Sequence, residues 1–347
     1  MSGPVVRMAG EVDWASFNRF LGRVYRPEKA AFLERHGAWW YRGQENCWVL
    51  EDGGEVAAYC AVMPARILVG GEPVKTVWWV DLVVDPDHRG CGLQKVFDDR
   101  VRSVAPLVVG FPNAVAAKIH RRHGWGVRED LRVLLMPLRP REVGVVRRLR
   151  GWKGHAVRTV AAVLSPAAIA VRRRLRSFRP RFASRINVPD PATLADVFTR
   201  RTEMAGATTL RDESYLRWRF FEAPYHGDLG FFGAGRGGRV DVTAITRKVE
   251  KEGRTAVRVL DLFGNLGDSE LVREVMLLAA RSAAETGAGQ VTVMATDARL
   301  RGALRRIGFV ASAVSRFCWW SGDGGLMNRL ANGQGLWSLA DSDNDEP

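Results

Sequence analysis

The chain has 347 residues, 46% apolar and 26% charged, a globular composition long enough for two domains and unlike that of a disordered or fibrous protein. Its net charge is +14, but fourteen basic residues and a single acid, Glu142, fall between Arg139 and Arg185, so the basicity belongs to one connector rather than to a surface spread over the fold. The first twenty residues contain Glu11 and Asp13 and lack an apolar core, no run reaches the ~18 apolar residues that span a bilayer, and Cys47, Cys60, Cys91 and Cys318 have neither metal nor redox spacing; the expectation is a reduced, cytoplasmic protein without a metal.

In chain order, Asp52-Gly53-Gly54-Glu55 through Tyr59 predicts a hairpin turned on glycines. Trp79 to Val84 predicts a buried strand, followed by the polar turn Asp85-Pro86-Asp87-His88-Arg89-Gly90-Cys91-Gly92 and a helix from Leu93 to about Val104. Leu107 to Phe111 reads as a strand, Asn113 to His123 as a helix closed by Gly124, and Leu131 to Met136 as the last strand of this unit. The order then recurs after roughly 180 residues: a hairpin at Arg236-Gly237-Gly238-Arg239, a strand Val259 to Phe263 feeding a helix, a strand Gln290 to Ala295, a helix Asp297 to Ile307 closed by Gly308, and a last strand Val314 to Trp320. Strands mixed with helices of this length predict an α/β fold.

These repeats set the expected domains: residues 1–138, a connector over 139–188, a second unit over 189–325 and an acidic tail over 326–347 with Asp341, Asp343, Asp345 and Glu346 at its end. The connector has an apolar centre, Thr159 to Val171, interrupted by Pro166 and flanked by basic clusters. It reads as a packed or solvated helical linker, or as a segment lying on anionic lipid; sparse aromatics and the lack of a recognition module count against nucleic acid.

The turn carries the chemistry. Gly90 and Gly92 let backbone approach a ligand, and the helix opening at Leu93 aims free N–H groups at the same spot, a geometry that cradles a phosphate or pyrophosphate. In the second unit that place is taken by Gly264-Asn265-Leu266-Gly267-Asp268-Ser269-Glu270, where Asp268 and Glu270 would repel a phosphate. Adjacent tryptophan pairs (Trp39-Trp40, Trp78-Trp79, Trp319-Trp320) either pack the sheet or line a cleft for an acceptor.

The strand–Pro86–x–x–Arg89–Gly90–x–Gly92 motif, followed by Asn113-Ala114-Val115-Ala116 through Gly124-Trp125, resembles the GNAT superfamily of N-acetyltransferases. The whole chain looks like a tandem GNAT protein whose second unit is degenerate, and Arg211-Asp212 with Tyr215 to Arg219 recurs in similar proteins. The resemblance implies that each unit is a mixed, mostly antiparallel sheet flanked by helices. It implies that Arg89, Gly90, Cys91, Gly92, Leu93 and Gln94 hold the pyrophosphate of acetyl-CoA or another acyl-CoA. It places the pantetheine arm along Leu82, Val83 and Val84, where the strand splays from its neighbour, and a cofactor contact at Asn113.

Two departures matter: Gln94 stands where the family has Gly or Ala, and His120 where it commonly has the Tyr that protonates the thiolate. His120 is thus the candidate general acid, against a plain helix-surface histidine among Lys118, Arg121 and Arg122, whose charges lower its pKa. Asp81, on the face of Trp79 and Val83, is the candidate base, although its repetition as Asp261 favours a structural role for both. Leu304 matches His120 in the second unit. The expected reaction is transfer of an acyl group to a primary amine of a small molecule or cell-envelope precursor by direct attack; a non-catalytic GNAT-fold binding protein and a membrane-surface enzyme on lipid-linked substrates are the alternatives.

Overall fold

The computed structural model describes residues 5–11, 14–139, 169–187, 189–201, 206–251, 253–332 and 337–340. The chain divides into two compact units, one of Met1–Glu129, Arg316–Gln334 and Glu346–Pro347, the other of Asp130–Ser315 and Gly335–Asp345.

The first unit runs β1 (Val5–Met8), α1 (Trp14–Val24), α2 (Pro27–Trp40), β2 (Cys47–Asp52), β3 (Glu55–Val69), β4 (Glu72–Val84), α3 (Leu93–Arg102), β5 (Leu107–Gly110), α4 (Ala114–Arg122) and the start of β6 (Gly126–Pro137). β1 to β4 pair antiparallel in sequence order, and β4 pairs parallel with β5. The predicted hairpin turns on Gly53 and Gly54, both at positive φ (60° and 85°), which only glycine adopts without strain. Helices cover both faces of the sheet, as alternation along β3 requires. Tyr59 and Ala61 face Phe17, Phe20 and Leu21 of α1 and Leu33 and Trp40 of α2. Cys60 and Val62 face Phe97 and Val101 of α3.

The second unit continues with α5 (residues 169–177), β7 (Ala183–Arg185), α6 (Pro191–Thr199), β8 (Ala207–Thr209), α7 (Glu213–Leu216), β9 (Leu229–Ala234), β10 (Val242–Lys251), β11 (Arg254–Gly264), α8 (Ser269–Glu285), β12 (Gln290–Ala295), α9 (Ala298–Arg306) and β13 (Val310–Ser321). After β13 come α10 (Gly324–Asn332) and β14 (Trp337–Ser338). β7, β9, β10 and β11 pair antiparallel, β11 and β12 parallel, and α8 buries Val272, Val275, Met276 and Ala279 against this sheet.

Several expectations are corrected. Neither unit closes on its own last strand. In the second unit Arg132–Pro137 of β6 pair with β12, and in the first Cys318–Ser321 of β13 pair with β5. The apolar pattern marks both segments as strands, but a strand buried on both faces fits any open apolar edge, so its partner is settled by contacts far away in sequence. The described end of the 139–188 connector is not a linker: Val171 and Leu175 of α5 lie in the core of the second unit, and Ala183 to Arg185 pair with β9. The tail read from residue 326 begins inside α10, which buries Leu326 and Leu330. The connector's centre, over 140–168, and the acidic residues after 340 lie outside the described residues.

Candidate active site

Pairing between β4 and β5 runs from Thr76–Leu107 to Trp79–Gly110 and stops there. Leu82, Val83 and Val84 keep their partners in β3 and extend past the end of β5 at Gly110. At the same place β4 bulges. Asp81 faces Ala61 and Trp79 faces Val62, so Val80 is the extra residue without a cross-strand partner in β3.

The turn beyond β4 is fixed from below. Asp85 is buried, caps the 3-10 turn Pro86–His88 by accepting from the Asp87 N–H at 3.2 Å, and is gripped by Arg23 Nη2 at 3.2 Å. Gly90 and Gly92 then take positive φ of 85° and 74°, and a Cβ on either would meet nothing within 4 Å. α3 opens at Gly92 without a capping side chain and without an acid in its first turn, so its leading N–H groups and its dipole face open space. Asp98 holds α3 from behind, accepting from Trp125 Nε1 at 3.1 Å and from Arg102 at 2.7 Å. Arg89 is exposed and reaches back toward the Val84 carbonyl at 3.4 Å. Cys91 is an exposed thiol, and Leu93 is half-buried. Gln94, the departure from the family, turns its Nε2 out of solvent, where it has no hydrogen-bond partner.

The corresponding place in the second unit is already filled. Asp268 caps α8, accepting from the N–H groups of Glu270 and Leu271 at 3.1 Å, and Arg236 pairs with both Asp268 and Glu270. Leu304, at the position matching His120, is fully buried in the core.

Asp81 is 5% exposed and accepts from Tyr25 Oη at 2.6 Å, Tyr41 Oη at 2.7 Å and Lys29 Nζ at 2.8 Å. Burial, then the neighbouring Asp81 charge, pushes the Tyr41 phenol well above its ordinary pKa, so it stays a donor. Nothing in the sequence singled out Tyr25, Lys29 and Tyr41; they reach Asp81 from 40 to 56 residues away. Held by three donors, this carboxylate ties α2 and the residues that follow α1 and α2 to β4, a structural duty that competes with acting as a base. The expected shared face is also corrected: the bulge at Val80 puts Trp79 in the α3-side core and Val83 in the α2-side core. Asp261 repeats the device. Leu260 is the bulged residue before it, and Asp261 pairs with the buried Arg211 at 2.8 Å.

His120 is the larger correction. It is not on the helix surface but 5% exposed, with its ring 4.5 Å from that of Trp125 and 5.2 Å from that of Trp79. Burial, then His123 and Arg102, lower its pKa to about 4. The imidazole is neutral at pH 7 and carries no imidazolium proton for a leaving thiolate. Sequence reasoning had the direction of the shift but not its main cause, because an α-helix of basic residues reads as exposed. Since the unfolded-state pKa lies near 6.5, the unfolded chain binds the extra proton first. His120 therefore contributes fully above that value, and stability falls by on the order of 3 kcal/mol as pH drops toward 4. Denaturant titrations from pH 7 to 4 check this, and a His120→Phe variant should lose that part of the slope.

Asn113 is the N-cap of α4. Its Oδ1 accepts from the N–H groups of Val115 and Ala116, both at 2.9 Å, a local duty that competes with the expected cofactor contact. The tryptophans mostly pack: Trp40, Trp78, Trp79 and Trp319 are buried, and Trp78 stacks on Phe111 at 5.4 Å. Among the described residues no three histidine, cysteine or carboxylate groups come together as a metal site.

Residues 5–128 match a family model described as an acetyltransferase (GNAT) domain. The fold resembles that of Saccharomyces cerevisiae N-myristoyltransferase with bound myristoyl-CoA, at a TM-score of 0.62 and 10% identity over 92% of this chain and 83% of that one. It also resembles GCN5-related N-acetyltransferases from Kribbella flavida (TM-score 0.58, 14% identity, 91% of this chain and 70% of that one) and Anabaena variabilis (0.57, 12%, 91% and 72%). Curated protein sequences give no match. The match to a GNAT acetyltransferase domain thus covers residues 5–128, within a fold of the kind seen in N-myristoyltransferase and GCN5-related N-acetyltransferases.

Proposed function

We propose that the protein transfers an acyl group from acetyl-CoA or a longer acyl-CoA to the primary amine of a small molecule or cell-envelope precursor, by direct attack of the amine. The observation that carries this reading is the uncapped, acid-free start of α3 behind Gly90 and Gly92, beside a β4 that runs on past the end of β5. Residues 89–94 suit a pyrophosphate: the start of α3 has neither a capping side chain nor an acid in its first turn, and the glycines before it leave room for a ligand. The thioester supplies the activated acyl group. The backbone of Leu82 to Val84 would hold the arm in an extended form, and the bulge at Val80, a residue without a partner in β3, would offer a backbone donor to the oxyanion. With Asp81 held by three donors and His120 neutral, the amine proton leaves through solvent.

The test is release of free thiol from acetyl-CoA and from myristoyl-CoA in the presence of a panel of amines. Tight binding without release would make the chain a binding protein of GNAT fold. No binding of either thioester would overturn the assignment. A second readout needs no acceptor. Cys91 is the exposed thiol, whereas Cys60 and Cys318 are buried with pKa values pushed well up and Cys47 is pushed to about 12. Iodoacetamide should label Cys91 first, and acyl-CoA should slow that labelling at least tenfold, read by peptide mass spectrometry.

A further inference from the structure

We propose that the second unit carries a docking surface for a membrane rich in anionic phospholipid, built on α5 and the C-terminal part of α8. A groove of about 470 Å³ there has an apolar floor including Leu138 and Leu175 and is lined by Arg139, Arg172, Arg176 and Arg281. On the other flank of α5, Arg174 joins Arg273, Arg306 and the carboxylate of Glu270, 3.9 Å from Arg273, around a recess of about 210 Å³.

The sequence makes α5 two-faced. Val171 and Leu175, four apart, point into the core, which leaves Arg172, Arg173, Arg174 and Arg176 outward. Some arginines of this face are committed: Arg281 pairs with Glu285 at 2.9 Å, and Arg174 donates to the Arg306 carbonyl at 2.8 Å. Among the described residues, Arg172, Arg173 and Arg176 have no carboxylate partner. Like charges packed this closely raise the energy of the free protein unless a polyanion meets them, and guanidinium groups match phosphate oxygens in bidentate fashion. Ile169, on the same helix one turn before Arg172 and Arg173, has 68% of its surface exposed. An exposed aliphatic side chain beside unpaired arginines fits the boundary between headgroups and acyl chains. A single-stranded nucleic acid fits less well, because base stacking needs outward aromatics and Phe178 and Phe182 pack against the core.

The experiment is co-sedimentation of the full chain with phosphatidylcholine vesicles, with and without phosphatidylglycerol. Binding is expected only with the anionic lipid and should fall away in molar salt. Replacing Arg172, Arg173 and Arg176 together by Ala should reduce partitioning on the order of a hundredfold, with the melting temperature unchanged because all three are exposed. Ile169→Asp should weaken binding to the same vesicles in a manner that salt does not reproduce. Equal binding to neutral vesicles, full binding by the triple variant, or capture of inorganic polyphosphate or DNA without vesicle binding would each overturn the proposal. None of these readouts depends on acyl transfer.

Discussion

Gly92→Glu will lower affinity for acyl-CoA more than a hundredfold while leaving the fold in place. A Cβ at Gly92 meets nothing within 4 Å, so the side chain has room. The backbone there has φ 74°, which costs a non-glycine residue about 1–2 kcal/mol. The larger effect is electrostatic. A carboxylate at the start of α3 competes for the N–H groups meant for the pyrophosphate and repels it, by about 3 kcal/mol for unit charges ~5 Å apart at an effective dielectric of ~20. Gly92→Ala bears the strain without the charge and should lose less than tenfold. Calorimetric titration of both variants separates the two terms; equal losses would mean that the turn acts through its conformation and not as an anion site. The second unit is the natural precedent, since Asp268 sits at the start of α8 and fills that site with the chain's own carboxylate.

Asp81→Ala will destabilise the protein by about 3–5 kcal/mol, and Asp261→Ala by a similar amount. Each removal strands a cation: the half-buried Lys29 in one case, with the hydroxyls of Tyr25 and Tyr41, and the buried Arg211 in the other. Denaturant unfolding measures the loss. The pair also decides what Asp81 does. If it is a structural tie, Tyr41→Phe, which removes one donor to the same carboxylate, should cost about 1–2 kcal/mol and leave turnover of the folded enzyme near that of the parent. An Asp81→Asn variant of undiminished stability but with turnover lost would restore the base assignment and overturn the reading from geometry. Asp261, in the unit whose helix start is filled by its own carboxylate, should affect stability without changing acyl-CoA affinity beyond the loss of folded protein.

The conformation of the candidate site's turn was legible because it is local. Asp85 to Gln94 form a contiguous turn, and glycine spacing, proline and the absence of acids at the helix start each have a short-range physical meaning. The absence of the same turn after β11 was equally readable, since Asp268 and Glu270 announce a capped helix. The roles of His120, Asp81 and Asn113 were not readable in this way. Burial of His120 depends on Trp79 and Trp125 closing over a helix whose sequence looks solvent-facing. The partners of Asp81 come from the residue after α1, from α2 and from the residue after α2, and the bulge at Val80 breaks the alternation from which its face was inferred. That two bulges precede two matching aspartates is visible only in the register of the strands.

The amino-acid sequence by itself determined the local pieces: the hairpin on Gly53 and Gly54, the helices after β4, β5, β11 and β12, those after β5 and β12 closed by Gly124 and Gly308, the glycine turn before α3, and the concentration of positive charge between Arg139 and Arg185. Hydrogen bonding within a turn and the period of a helix are written in neighbouring residues, so a linear reading recovers them. Only the tertiary structure decided which strand pairs with which, so that β6 adds to β12 and β13 to β5. It alone decided which polar groups lie buried. Protonation follows burial and distant partners, and for that reason the neutral His120 and the triply held Asp81 emerge only once the chain is folded.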